Sequence, residues 1–392
     1  MALETKNMEN KVVCHSQGDG DHEKAYEVGE VHELKKRFSR LTILSMAVVL
    51  MATWEALSST MVSGLVNGGP VSLVYGFLLA ACGSMATAAS LAEMASMYPT
   101  AGGQYHFIAK LAPKRWQNIL SWSVGWTGTF GWVAFTASAP FLAAGMIQGL
   151  LILNYDTYQP ERWHATLIYW ALTVFSIVIN IWGLMFISFI ETASLVLHVV
   201  AFIALFIVIW VCAPAMHSAS FVFTLFQNSS GWLNDGIPWC IGMLSSCYVL
   251  TGYDGAIHLG EEMDNPRVAV PYCMLGSIAI NGVMGFAFLL AILFCMGDMQ
   301  AALASSTGFP IIEIFRYVTG SAAASSAITS MLIVSAGLAT IPLLASATRM
   351  PVTAVNMNYA CLIFGAVLLF SGIYWVWKGR HVYEGPVMGH LD

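Results

Sequence analysis

Apolar stretches long enough to cross a bilayer, about 20 residues each, follow one another from Leu41 to Trp377 with few charges inside them. A backbone N–H or C=O left unpaired in lipid is costly, so a chain of this kind folds as a bundle of helices. Only 10% of its 392 residues are charged and 57% are hydrophobic, against about 25% charged in soluble domains. The fold class expected is an all-α, polytopic membrane protein, with the lipid bilayer as its first partner. The net charge of -6 carries little weight, because the acids sit mostly in the N-terminal tail and the loops. Eight cysteines are scattered without a CxxC pair and mostly inside apolar runs, which reads as small buried hydrophobes rather than disulfides or a metal site. No cofactor or metal is expected, and basic patches for nucleic acid are absent.

Taken in order, residues 1–40 read as a disordered cytosolic tail ending in the basic cluster Lys35, Lys36, Arg37 and Arg40. The spans predicted are 41–65, 71–97, 119–153, 165–182, 186–212, 237–259, 272–296, 311–347 and 358–377. Residues 41–377 form one transmembrane domain, with 41–212 a first repeat, 237–350 an incomplete second, 358–377 a last helix and 378–392 a tail. With the N-terminus inside, Lys110, Lys114, Arg115, Arg267 and Arg349 fall on the cytosolic face, as the positive-inside rule requires. The polar loop 213–236, with the sequon Asn228-Ser229-Ser230, then falls outside, where glycosylation of Asn228 is expected. The last span reverses the pattern, placing Lys378 and Arg380 on the wrong face.

Two spans are interrupted, and they begin the two repeats. The sixth meets Thr251, Gly252, Tyr253, Asp254 and Gly255 after Tyr248; the first holds Thr53, Trp54, Glu55, Ser58, Ser59 and Thr60. Glycine weakens a helix and a carboxylate in lipid is expensive unless it faces protein or water. Broken helices at matching places in two halves point to a transporter site. Glu55 and Asp254, each beside an aromatic (Trp54, Tyr253), favour a positively charged nitrogen. A half-helix starting near Ser58 would offer free N–H groups to a carboxylate. A small amine or zwitterion is therefore the ligand class expected. The plainer readings are that Asp254 caps a helix, that Glu55 bonds to a neighbouring helix, and that Trp54 and Tyr253 pack. Glu93 lies near the cytosolic end of the second span, where gating or structural pairing is expected. Glu191 is an intramembrane acid suited to proton relay; His198 reads as lying on another face and packed. No nucleophile–base pair, P-loop or second histidine near His258-Leu-Gly-Glu261-Glu262 supports an enzyme.

Residues 91–113, LAEMASMYPTAGGQYHFIAKLAP, closely resemble the amino acid–polyamine–organocation superfamily through Glu93, Pro99, Gly102, Gly103 and Tyr105. TGYDGAIHLGEEMDNP resembles that family's sixth helix, and SSTMVSGLVNGGPVSLVYG the first two helices of its fungal amino acid, GABA and choline permease branch. The resemblance implies twelve helices in inverted five-helix repeats, of which this chain holds about nine. It also implies alternating access, proton coupling and a plasma-membrane location. Substrate contacts carried over fall near Ser58, Ser59, Thr60, Tyr248, Thr251, Gly252 and Tyr253. After Met350 the chain passes directly to a segment resembling the twelfth helix; the missing three helices amount to on the order of 100 residues. The function expected is a proton-coupled permease for amino acids, GABA or related amines. Choline is the alternative substrate, and a truncated, non-transporting ligand-binding or regulatory protein the alternative class.

Overall fold

The computed structural model describes residues 39–183 and 186–348. Most of the tail, the junction at Met350 and Pro351, and the predicted last helix with Lys378 and Arg380 lie outside the described residues.

The first span is two helices, α1 (Arg40–Met51) and α2 (Thr53–Val66), separated by Ala52 in the left-handed region at φ 41°. A non-glycine residue there costs about 1–2 kcal/mol, and a set of side-chain bonds holds it. From α11, Asn281 donates Nδ2–H to the carbonyls of Val48 (3.2 Å) and Ser277 (3.1 Å), while its Oδ1 accepts the Thr53 N–H at 3.2 Å. Thr53 in turn donates its hydroxyl to the Val249 carbonyl at 2.6 Å. Groups that a helix end leaves without partners are thus satisfied across the break. Asn281→Leu should leave the Thr53 N–H buried and unpaired, at a cost of about 1–3 kcal/mol. A clear fall in the midpoint of thermal unfolding in detergent is the expected result; an unchanged midpoint would remove Asn281 from this role.

The chain continues through α3 (Gly69–Met97), the short α4 (Gln104–Leu111), α5 (Gln117–Asn154), α6 (Arg162–Trp182) and α7 (Ile187–Cys212). After α8 (Ala219–Thr224), the second broken span is α9 (Gly236–Val249) and α10 (Gly255–His258), followed by a 3-10 turn at Gly260–Glu262. Then come α11 (Pro266–Cys295), α12 (Met299–Leu303), α13 (Pro310–Thr319) and α14 (Ala322–Thr348). The eighth predicted span therefore corrects to two helices. Gly320 at φ 65° ends α13, the left-handed helix stop that glycine favours, and only α14 is a span.

Seven helical stretches among the described residues are long and apolar enough to cross a membrane, α1 and α2 counting as one, with α9 a shorter apolar helix. Phe175, Val178, Trp182, Phe189, Val200 and Ile207 project outward from α6 and α7 and are exposed. Outward apolar faces on this scale belong in lipid, and the protein is a multi-pass membrane protein.

Extensive packing joins α2 to α9, α3 to α11 and α5 to α14. α3 and α11 each follow a broken span, and α5 and α14 are the next long span after them. Backbone bonds clasp the α2–α3 turn to the loop before α9, among them Gly68 N–H to Gln227 O (3.0 Å) and Ser229 N–H to Val66 O (2.9 Å).

Candidate functional site

The two breaks meet. Gly252, at φ 97°, lies so close to Leu50 at the end of α1 that an added Cβ would fall 2.4 Å from Leu50 Cδ2 and 2.7 Å from Phe135 Cε1. The break in the second span runs from Leu250 to Asp254, where the sequence places it. The break in the first span lies at Ala52, where the interrupted stretch of residues 53–60 begins, but the half-helix does not start near Ser58. Its half-helix starts at Thr53, so the first-turn N–H groups without intrahelical acceptors belong to Trp54 and Glu55, not to Ser58–Thr60. The hydroxyls of Ser58, Ser59 and Thr60 donate back to the carbonyls of Trp54, Ala56 and Ala56 at 3.1, 2.8 and 3.0 Å. This back-bonding is what serine and threonine do inside a helix.

Beside the first break is a small cavity of about 40 Å³ bordered by Ala52, Glu55, Ser59, Phe135, Tyr248 and residues of α14. That is room for about one water, so the helices leave little space at this point. Glu55 is 4% exposed and its Oε1 lies 2.7 Å from Nδ1 of His198, itself 2% exposed. Glu55 Oε2 and His198 Nε2 are buried without partners among the described residues. On the opposite wall the Tyr248 hydroxyl bonds Ser138 Oγ at 2.6 Å, and Phe135 meets the Tyr248 ring edge-on at 5.7 Å.

The expectation that His198 lies on another face from Glu191 is overturned. Seven residues advance a helix to within about 20° of two full turns, and Glu191, Ser194 and His198 form one buried stripe of α7. Glu191 is wholly buried and neither of its oxygens has a partner among the described residues.

The remaining sequence-predicted residues divide. Trp54 turns away from the cavity into the core, with ring centroids 5.8 Å from His198, 6.1 Å from Phe202 and 5.5 Å from Phe288. Ser58 and Thr60 do not border the cavity. Tyr253 packs against the core. Thr251, Gly252 and Asp254 border a separate groove of about 440 Å³. Asp254 does not cap α10 with its side chain; its Oδ2 instead accepts Gln104 Nε2–H at 2.8 Å. Nearby, His258 Nδ1 lies 2.9 Å from the Ala101 carbonyl. The AGGQ turn thus holds the second half of the broken span at two points. A Cβ on Gly103 would meet His258 Cε1 and Ile257 Cγ2 at 3.3 Å each, which accounts for glycine there. Glu93 is exposed, with no hydrogen bond or ion pair among the described residues. Asn228 Nδ2 donates to the Trp232 carbonyl (2.8 Å) and Asp235 Oδ1 (3.2 Å).

His198, Gln104, Ser138 and Asn281 were not singled out as site residues from sequence. For His198 the signal was the seven-residue spacing from Glu191, and for Gln104 its place in the AGGQ turn. Ser138 and Asn281 are polar residues within apolar helices, and nothing in their spacing sets them apart from their polar neighbours.

An all-helical membrane bundle whose two broken helices touch beside a buried acid defines the inverted-repeat carrier fold. The chain belongs to the amino acid permease family, which matches residues 38–374. Among its relatives is a protein of Macrophomina phaseolina provisionally described as an amino acid/polyamine transporter, 36% identical over 73% of this chain and 63% of its own length. The choline transporter of Saccharomyces cerevisiae is 32% identical over 74% of this chain and 52% of its own. The GABA-specific permease of the same yeast is 26% identical over 75% and 52%. The chain thus spans about half to three-fifths of the length of these relatives.

Proposed function

We propose that this protein is a secondary transporter for a small amine or amino acid, working by alternating access and driven by protons. The observation that carries the reading is the meeting of the two breaks beside Glu55. A substrate ammonium group would pair with the buried Glu55 carboxylate, bordered by the Tyr248 ring and Ser59. The first-turn N–H groups of α2 would serve a substrate carboxylate. No bond chemistry is involved.

Protons would act through the Glu191–His198 stripe. His198 already touches Glu55, so a proton moving along this face changes the charge that the substrate meets. Rocking of the groups tied through α2–α9, α3–α11 and α5–α14 would open the small cavity to one side and then the other. The plasma membrane, a cytosolic N-terminus, glycan addition at Asn228 and a gating role for Glu93 fit this reading. Glycan addition would require the Asn228 amide to leave Trp232 and Asp235.

Choline is the second reading, favoured because the side chains bordering the cavity include a carboxylate and no lysine or arginine. Competition in reconstituted vesicles separates the two. If uptake of labelled GABA is blocked by GABA and neutral amino acids but not by choline, a carboxylate is recognised. Uptake of labelled choline that GABA and neutral amino acids do not block assigns a quaternary amine. Binding without uptake of any of them would replace the carrier with a ligand-binding membrane protein.

A further inference from the structure

Asp254 lies apart from the cavity that holds Glu55. It borders the groove of about 440 Å³ together with Trp132 and Phe135, and a further one of about 350 Å³ with Gln104 and Tyr105. Gln104 supplies one neutral N–H to Oδ2, and Oδ1 has no donor among the described residues. No cation within those residues forms an ion pair with Asp254. An amide hydrogen bond does not cancel a charge, and a carboxylate in a membrane is expensive unless it faces protein, water or a cation, so the groove beside Asp254 is where a cationic partner would sit. The groove also has a bare floor. A Cβ at Gly128 or Gly131 would meet nothing within 4 Å, so the α5 backbone leaves room for a ligand beside the carboxylate. The Trp132 and Phe135 rings meet edge to face, centroids 6.1 Å apart, and aromatic rings attract ammonium groups. Phe135 and Tyr248 border both this groove and the small cavity. They form the partition between them.

We propose that Asp254, Trp132 and Phe135 form a second, transient site for an organic ammonium group, separated from the Glu55 site by the Phe135–Tyr248 partition. The site deepens the carrier reading and rests on it: an amine leaving Glu55 meets a second carboxylate once the two rings part. It also explains why two acids are kept in different compartments rather than at one substrate.

The test is thiol chemistry in the groove. Gly128→Cys is placed in the full chain with its eight native cysteines changed to serine, in vesicles, and its modification is timed. The trimethylammonium-ethyl methanethiosulfonate should react about tenfold faster than the sulfonatoethyl reagent, relative to their rates with a free thiol, because Asp254 concentrates cations there. Asp254→Asn should abolish that preference, and ethylammonium chloride should slow modification where sodium acetate does not. Should the cysteine-free chain not fold, Gly131→Cys in the parent chain, corrected for the unsubstituted protein, gives the same readout. Inertness of both positions to both reagents would show the groove covered by lipid or protein, and would overturn the site. Equal rates, or a preference that survives Asp254→Asn, would overturn it as well. None of these rates requires uptake. A protein that fails to transport but shows the Asp254-dependent preference loses the carrier reading and keeps the cation site.

Discussion

Replacing Gly252 by alanine should lower uptake by roughly two orders of magnitude, as misplacement by about 1 Å does in a constrained site. Two effects act together. At φ 97° a side chain strains the backbone, at about 1–3 kcal/mol. The added Cβ also falls 2.4 Å from Leu50 and 2.7 Å from Phe135, distances that force movement at the contact between the two breaks. Leu50 and Phe135 both border the cavity that holds Glu55, so a shift of their side chains changes that cavity. Gly83→Ala and Gly282→Ala are the controls, because a Cβ at either meets nothing within 4 Å. Uptake by vesicles holding equal amounts of each variant is the measurement. Loss in all three would indicate a general intolerance of the helices, and near-normal uptake in Gly252→Ala would remove the crossing from the mechanism.

The second large effect concerns the buried pair. His198→Leu leaves Glu55 without the only bond to its carboxylate among the described residues. Breaking a buried pair from one side costs about 3–5 kcal/mol, whereas replacing both members with apolar residues is often neutral or stabilising. The single variant should therefore unfold at clearly lower temperature and lose uptake. The double variant Glu55→Leu/His198→Leu should recover the thermal midpoint and still fail to transport. That separation assigns the pair to function rather than to holding the bundle together. If the double variant transports, Glu55 does not receive the substrate.

The legible and illegible parts of this molecule differ for physical reasons. The break at Gly252 was visible because glycine and aspartate inside an apolar span leave a compositional mark. At the first break the mark is Thr53, Trp54 and Glu55 just after it, and Ala52 itself carries none. Alanine is a good helix former, and its left-handed conformation is imposed by Asn281, 229 positions away in the chain. The conspicuous Ser58-Ser59-Thr60 run drew attention instead, although its hydroxyls bond within their own helix. Glu55 and Glu191 stood out as charges in lipid-spanning segments. Their relation to His198 required knowing how α7 turns its buried face toward α2, which side-chain spacing suggests but packing decides. Likewise Asp254 and Glu55 resembled one paired site, and only the partition of Phe135 and Tyr248 places them in separate compartments. The split between α13 and α14 falls at Gly320, within the polar stretch of residues 319–321, which the apolar residues on either side outweigh in a single predicted span.

The measurement that bears most directly on the carrier reading is accumulation of labelled amine in vesicles containing this purified chain, with an imposed inwardly directed proton gradient. Internal GABA or choline should rise transiently above the external concentration, a rise abolished by a proton ionophore and absent in Glu55→Gln. Saturable binding of the same amine with no accumulation, in protein that keeps its thermal midpoint, would contradict the carrier reading.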